Sequence, residues 1–263
     1  MNAEELVRAG KPEEALASLQ EAIRAKPQDP SLRLFLFQLL SVLGQWDRAG
    51  NQLEVVGQIH PESLLLVRMY QPVLQCEVLR EEVFAGRRAP VIYGEPEPWV
   101  GFLAQANELV ARGEFAAAEE LRDKALDAAP ATSGKINGAP FAWVADADSR
   151  LGPVLEVILH GCYYWVPFHR IRRLQLAAPT GLRDLLWAPA NFQWANGGEA
   201  SGHVPVRYPG TPSSPDGPLR LARKTEWIEK ANGCTLGLGQ RLLTTDQDDY
   251  PLLETRDLEL AAG

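Results

Sequence analysis

Asp146-Ala147-Asp148 sets two carboxylates two residues apart. In an extended segment both point to one side, the arrangement that suits a divalent ion or nucleotide-sugar chemistry. The residues that follow, Ser149-Arg150-Leu151-Gly152-Pro153, are turn formers, and Arg150 can neutralise one acid locally. Aspartates that accept hydrogen bonds from turn amides account for the pair without a metal. A metal-dependent enzyme centred on Asp146 and Asp148 is therefore the lesser reading, and no metal or cofactor is expected.

Other reactive side chains are equally isolated. His160, Cys162 and His169 invite a Cys–His nucleophile, but no oxyanion loop accompanies them and no acid is placed to orient an imidazole. Ser201-Gly202-His203 is as bare, and single members of a triad carry little signal. Gly233 to Gly239 (GCTLGLG) lacks the Lys and the following helix of a phosphate loop. Arg170, Arg172, Arg173 and Arg183 form the one basic cluster, beside Tyr163, Tyr164 and Trp165. Alternation would put Arg170 and Arg172 on one strand face, where aromatics could stack nucleobases. A net charge of −8 over 263 residues argues against a nucleic-acid partner and favours a solvated strand face or a protein-binding patch.

Two kinds of segment must position these groups. Over residues 1–135 one phrase recurs: Gly10-Ala15-Ala22-Pro27, Gly44-Ala49-Val56-Pro61 and Gly113-Ala118-Ala125-Pro130. The Gly ends one helix in a left-handed conformation, the small residues admit close packing, and the Pro stops the second helix. The first two copies are one tetratricopeptide period apart. The first copy has little chain before Gly10, so its first helix is expected to be short and frayed. The gap before the third holds a degenerate unit, read as a long helix over 62–85, bent or broken near Pro72 and ended at Gly86.

Residues 131–140 (ATSGKINGAP) read as a linker, and the remainder, 136–263, as short strands. The expected runs are 141–145, 153–159, 162–168, 171–177, 187–195, 203–208, 219–228 and 235–244. Asn196-Gly197 is a hairpin signal, because both residues accept positive φ. Trp187, Phe192 and Trp194 read as core of a small barrel. The fold class is thus multi-domain α and β: an N-terminal irregular TPR-like helical repeat domain, 1–135, followed by a β-rich, barrel-like domain, 136–263. Charge divides as 14 basic and 20 acidic residues in the first part, 12 and 14 in the second. Three unpaired-looking cysteines, Cys76, Cys162 and Cys234, and the lack of a long apolar run point to a reduced cytoplasmic setting away from membranes. The oligomeric state is left open.

Longer strings carry a family likeness. FAWVADADSRLGPVLEVIL (141–159), YYWVPFHRIRRL (163–174), WANGGE (194–199), RLARKTEWIE (220–229), GLGQR (237–241) and YQPVLQCEVLREEVFAGRRAP (70–90) resemble the ImpE family, also called TagJ or SciE-type. The resemblance implies a non-catalytic accessory protein of bacterial type VI secretion. Its implied partner is the small subunit of the contractile sheath, bound through an amphipathic helix near that subunit's N-terminus. Neither catalytic residues nor a cofactor come with the family. Expected interface residues are Trp143, Tyr164, Trp165, Arg170, Trp194 and Glu199, with Asp146, Asp148 and Arg150 shaping the adjoining turn. The competing reading is a TPR co-chaperone gripping acidic peptide ends, for which Arg33, Arg68 and Asn107 are the available donors.

Overall fold

The computed structural model describes residues 1–261. Helices α1 (Ala3–Arg8), α2 (Pro12–Ala25), α3 (Pro30–Val42), α4 (Trp46–Ile59), α5 (Leu64–Phe84), α6 (Pro98–Arg112) and α7 (Phe115–Ala128) build the first part. The three phrase glycines all adopt positive φ: Gly10 at 77°, Gly44 at 68° and Gly113 at 78°. Ala15, Ala49, Val56, Ala118 and Ala125 are buried, and Ala22 is half-buried. Each small side chain thus lets a second helix close on its first, as the spacing predicts. α1 is short, but it is tied down by reciprocal bonds between Asn2 and Glu5, 2.9 Å each, so it is capped where fraying was expected. α5 runs unbroken through Pro72, which removes one backbone donor inside the helix.

The strands are β1 (Gly134–Ile136), β2 (Ala139–Phe141), β3 (Val144–Asp146), β4 (Val154–Leu159), β5 (Cys162–Pro167), β6 (Ile171–Leu176) and β7 (Trp187–Trp194). They continue as β8 (Glu199–Pro205), β9 (Thr225–Glu229), β10 (Thr235–Gly239), β11 (Leu242–Thr245), β12 (Asp249–Pro251) and β13 (Asp257–Leu260), with a one-turn helix α8 (Gly217–Arg220) before β9. Eight strands form one antiparallel sheet in the order β2-β1-β13-β6-β7-β8-β4-β5, joined by a three-stranded sheet β12-β11-β3 and the hairpin β9-β10. The β-rich expectation holds, but the large sheet is open, with β2 and β5 at its edges. The expected linker is instead a hairpin turning at Asn137-Gly138, φ 49° and 87°. The expected run 219–228 begins as α8, and 235–244 divides between two different sheets.

Alternation on β4 explains how the parts join. Val154, Glu156 and Ile158 face one way; Val154 and Ile158 pack into a core with α2 to α6, including Leu19, Phe37, Leu53, Val73 and Leu103. Leu155, Val157 and Leu159 face the other way, into a second core among the strands. β4 is buried at every position for that reason. Trp187 extends the first core, stacking on Phe37 at 6.5 Å and contacting Trp46 and Tyr70.

The segment between β8 and β9 lies along the repeat turns. A Cβ added at Gly10 would meet Pro218 at 3.2 Å, and one at Gly44 would meet Pro212 at 2.6 Å. Arg223 donates to the carbonyls of Arg8 and Val7, and Arg207 to those of Val42 and Ser41. Two of the three turns are therefore covered by the chain's own β part, whereas Gly113 has open space around it.

Candidate functional site

Burial of Glu156 on the helix-facing side of β4 forces charge into the interior, and the surrounding elements supply its partners. α5 presents Glu77 and Arg80 one turn apart. Arg80 donates to both Glu156 oxygens, Nε at 2.6 Å and Nη2 at 2.9 Å, and Nη2 also to the Arg207 carbonyl at 2.6 Å. Arg241, fully buried just before β11, pairs with Glu156 from the other side. Tyr163 donates its hydroxyl to Glu156 and accepts from the Trp165 indole at 2.7 Å. Trp187 donates its indole N–H to Glu77 at 2.7 Å. Glu77, Asp146, Asp148 and Glu156 face Arg80, Arg150 and Arg241, all buried, and the buried Arg207 beside them donates to the Val42, Ser41 and Arg220 carbonyls. Such an arrangement is tolerated only because opposite charges and hydrogen bonds replace lost water.

The aspartate pair belongs to this ionic core. Asp148 accepts the Arg150 backbone N–H and Nε at 2.8 Å on Oδ1, and the Gly237 amide at 2.7 Å with Arg150 Nη2 on Oδ2. Its lone pairs are thereby occupied within the chain. Asp146 Oδ1 accepts the Asp148 amide at 2.9 Å, the turn role its sequence context predicts. Its Oδ2 lies 3.4 Å from Arg241 Nε without a hydrogen bond. Burial, outweighing the attraction of Arg241, pushes the Asp146 carboxyl up to about 7. Glu156 is drawn the opposite way, to about 2, because Arg241 and Arg80 together overcome its burial. Among the described residues no group of three or more His, Cys, Asp and Glu is arranged to hold a metal ion.

The expected interface residues divide. Trp165 and Trp194 are interior: Trp165 lies against Phe84, and Trp194 stacks on Phe192 at 4.9 Å and contacts Tyr93 at 4.5 Å. Both are corrected from interface to interior, Trp194 falling in the core that its other reading expects; Asp146, Asp148 and Arg150, expected to shape the adjoining turn, are buried within it. Their aromatic and charged character resembled interface anchors, but the same chemistry satisfies a layered core. Trp143 and Glu199 are exposed, and Tyr164 is half-buried against Tyr93. Arg170 sits in a one-turn 3-10 helix, so it does not share a strand face with Arg172. Its guanidinium is tied to the Tyr93 and Glu95 carbonyls and to Glu97.

The remaining chemistry stays dispersed. Arg173 pairs with Asp257 at 2.7 Å, and Arg183 lies 3.5 Å from Asp184 and over the Tyr70 ring, so with Arg170 three of the four cations are paired in place and Arg172 is exposed. His169 lies 3.1 Å from Glu97, and Ser201 donates to Asn191 rather than to His203. Asn107, a donor the co-chaperone reading requires, is buried and donates to the Val83 carbonyl at 2.9 Å. Sequence reasoning missed Glu77, Arg80, Glu156, Arg207 and Arg241. A signal was present for Glu156, a lone acid inside the apolar run VLEVIL, since a buried acid needs an ionised partner.

A tetratricopeptide-like helical part thus shares one core with an antiparallel β part, and charges are locked where they meet. Residues 6–68 match a tetratricopeptide repeat family and residues 138–259 match the family described as ImpE protein. The type VI secretion system accessory component TagJ of Pseudomonas aeruginosa is 51% identical over 98% of this chain and 91% of its own length. This chain belongs to the ImpE family. The crystal structure of protein VPA1032 from Vibrio parahaemolyticus superposes with a TM-score of 0.90 at 27% identity, covering 98% of this chain and 97% of that one.

Proposed function

We propose that this chain is a non-catalytic accessory protein of a bacterial type VI secretion system, acting in the cytoplasm. Its partner is the small subunit of the contractile sheath, recognised through that subunit's N-terminal helix, and binding modulates sheath assembly or turnover. The observation that carries this reading is the 51% identity to an accessory component of that system across 98% of the chain. The site chemistry agrees with a binding role. Asp148 of the DxD segment is saturated by Arg150 and the Gly237 amide, Asp146 accepts a turn amide and faces Arg241, and the histidines, Ser201 and Cys162 do not converge. We further propose that the parts 1–135 and 136–263 act as one body, because the ionic core and the Gly44–Pro212 contact join them.

The test is recovery of the cognate small sheath subunit on immobilised full-length protein, with and without the subunit's N-terminal helix. The intact subunit should be retained and the shortened one lost. Equal recovery of the two, or of neither, overturns the mechanism.

A further inference from the structure

Where α7 passes β3, a groove of about 460 Å³ opens at the surface. Its walls are Leu103, Leu126, Ala129, Trp143, Val144 and Pro153, an apolar lining. Leu126 is 46% exposed and Trp143 40%, although both are large and apolar. Exposed apolar walls beside each other mark an interaction surface more often than chance placement does. The third repeat turn, at Gly113, is also the one that the β part leaves uncovered. Asp146 and Asp148 reach the groove floor, but Arg241 and Arg150 already face them.

Charge indicates what lies on it. Arg122 and Leu126 form the groove-facing stripe of α7, with Ala129 just past its end, and helical geometry places Glu119 and Asp123 side by side on its outer flank. Neither acid is in an ion pair among the described residues. α7 carries Glu119, Glu120, Asp123 and Asp127 against Arg122 and Lys124, within a first part that is itself acidic.

We propose that this groove is the docking site for an amphipathic, basic segment of the partner, its apolar side against Leu126 and Trp143 and its cations toward Glu119 and Asp123. The proposal rests on the functional reading above and adds the location and the charge of the bound segment. Basic side chains flanking an apolar stripe are steered by the acidic face and held by the buried area.

The experiment measures affinity of the full-length chain for the intact small sheath subunit at two salt concentrations. Leu126→Asp should weaken binding about tenfold or more, the order expected for losing one buried leucine. Glu119→Lys combined with Asp123→Lys should weaken it and flatten its salt dependence, whereas wild-type binding falls as salt rises. Leu65→Asp, on a still more exposed leucine of α5 (71%), should bind as wild type. All four positions reach solvent, and an unchanged thermal transition checks that each variant folds. Wild-type affinity in Leu126→Asp, or an equal loss in Leu65→Asp, overturns the groove and leaves the functional reading standing. Failure of the wild-type chain to bind the subunit overturns both.

Discussion

Gly44 and Pro212 touch where a repeat turn meets the β part: a Cβ on Gly44 would stand 2.6 Å from the Pro212 Cβ. The glycine therefore serves two ends, a left-handed backbone at φ 68° and room for the proline ring. Gly113 has the first requirement without the second. Gly113→Ala should cost ~1 kcal/mol, the penalty of a left-handed alanine. Gly44→Ala should cost clearly more, since Pro212 must also move, by about 1–3 kcal/mol for overpacking. Denaturant unfolding of the two variants measures the difference, and equal losses would show that the contact contributes nothing.

Glu156 accepts from Arg80, Arg241 and Tyr163 in a site with no access to water. Glu156→Gln removes the charge and leaves two arginines facing a neutral group. It should destabilise by about 3–5 kcal/mol, as breaking one side of a buried pair does. Adding Arg80→Met to Glu156→Gln should cost less than the sum of the two single changes, because the second no longer strands a charge. Additive losses in chemical denaturation would count against the network.

The same residues show why local patterns carried the helices further than the interior. Gly10, Gly44 and Gly113 act through their own turns, so three- and four-residue spacing suffices to place α1 to α4, α6 and α7. Asn137-Gly138 is the same hairpin dipeptide as Asn196-Gly197, yet the surrounding Ser, Gly and Pro suggested a linker. Its strand β1 is completed by β13, more than a hundred residues later, and no local pattern announces such pairing. The sequence leaves Trp165 as an interface candidate and Trp194 as both core and interface candidate, because alternation alone cannot tell which face of a strand a helix will cover. β4 and β5 are covered on both faces, one by α5 and one by the strand core. Glu156 became a buried charge by that layering, and Arg80 and Arg241 converge on it from distant segments.

Cys162 is exposed at the start of β5, whereas Cys76 and Cys234 are buried. Burial pushes the Cys76 thiol up to about 12, and its Sγ donates to the Gly161 carbonyl at 3.3 Å. The native protein should therefore expose one thiol to a disulfide reagent at neutral pH and all three once denatured. Counting released chromophore before and after denaturant checks this, and Cys162→Ser should abolish the fast reaction alone. A fast reaction that survives in Cys162→Ser would show that the core opens more readily than its packing allows.

Asp146 and Glu156 should give stability a pH dependence of opposite sign. Glu156 falls from an ordinary value of 4.5 to about 2 on folding, so the fold holds its proton less tightly than the unfolded chain. Its contribution is complete above pH 4.5 and is lost as pH falls toward 2. Asp146 rises from 3.8 to about 7, so the fold binds its proton more tightly. That contribution is complete below pH 3.8 and is lost as pH rises through 7. Between about pH 5 and 7.5 Asp146 pulls stability down as pH rises, whereas His203, drawn below its ordinary 6.5 by burial, pulls it up over the acid part of that window. The Asp146 share is therefore the difference between wild type and a variant that lacks it. Asp146→Asn cannot titrate and keeps an acceptor for the Asp148 amide. Relative to wild type its stability should lack the Asp146 decline from pH 5 to 7.5, with the acid-side loss below pH 4.5 unchanged. Denaturant midpoints at half-unit pH steps measure both limbs, and parallel curves for wild type and Asp146→Asn would remove Asp146 as the cause.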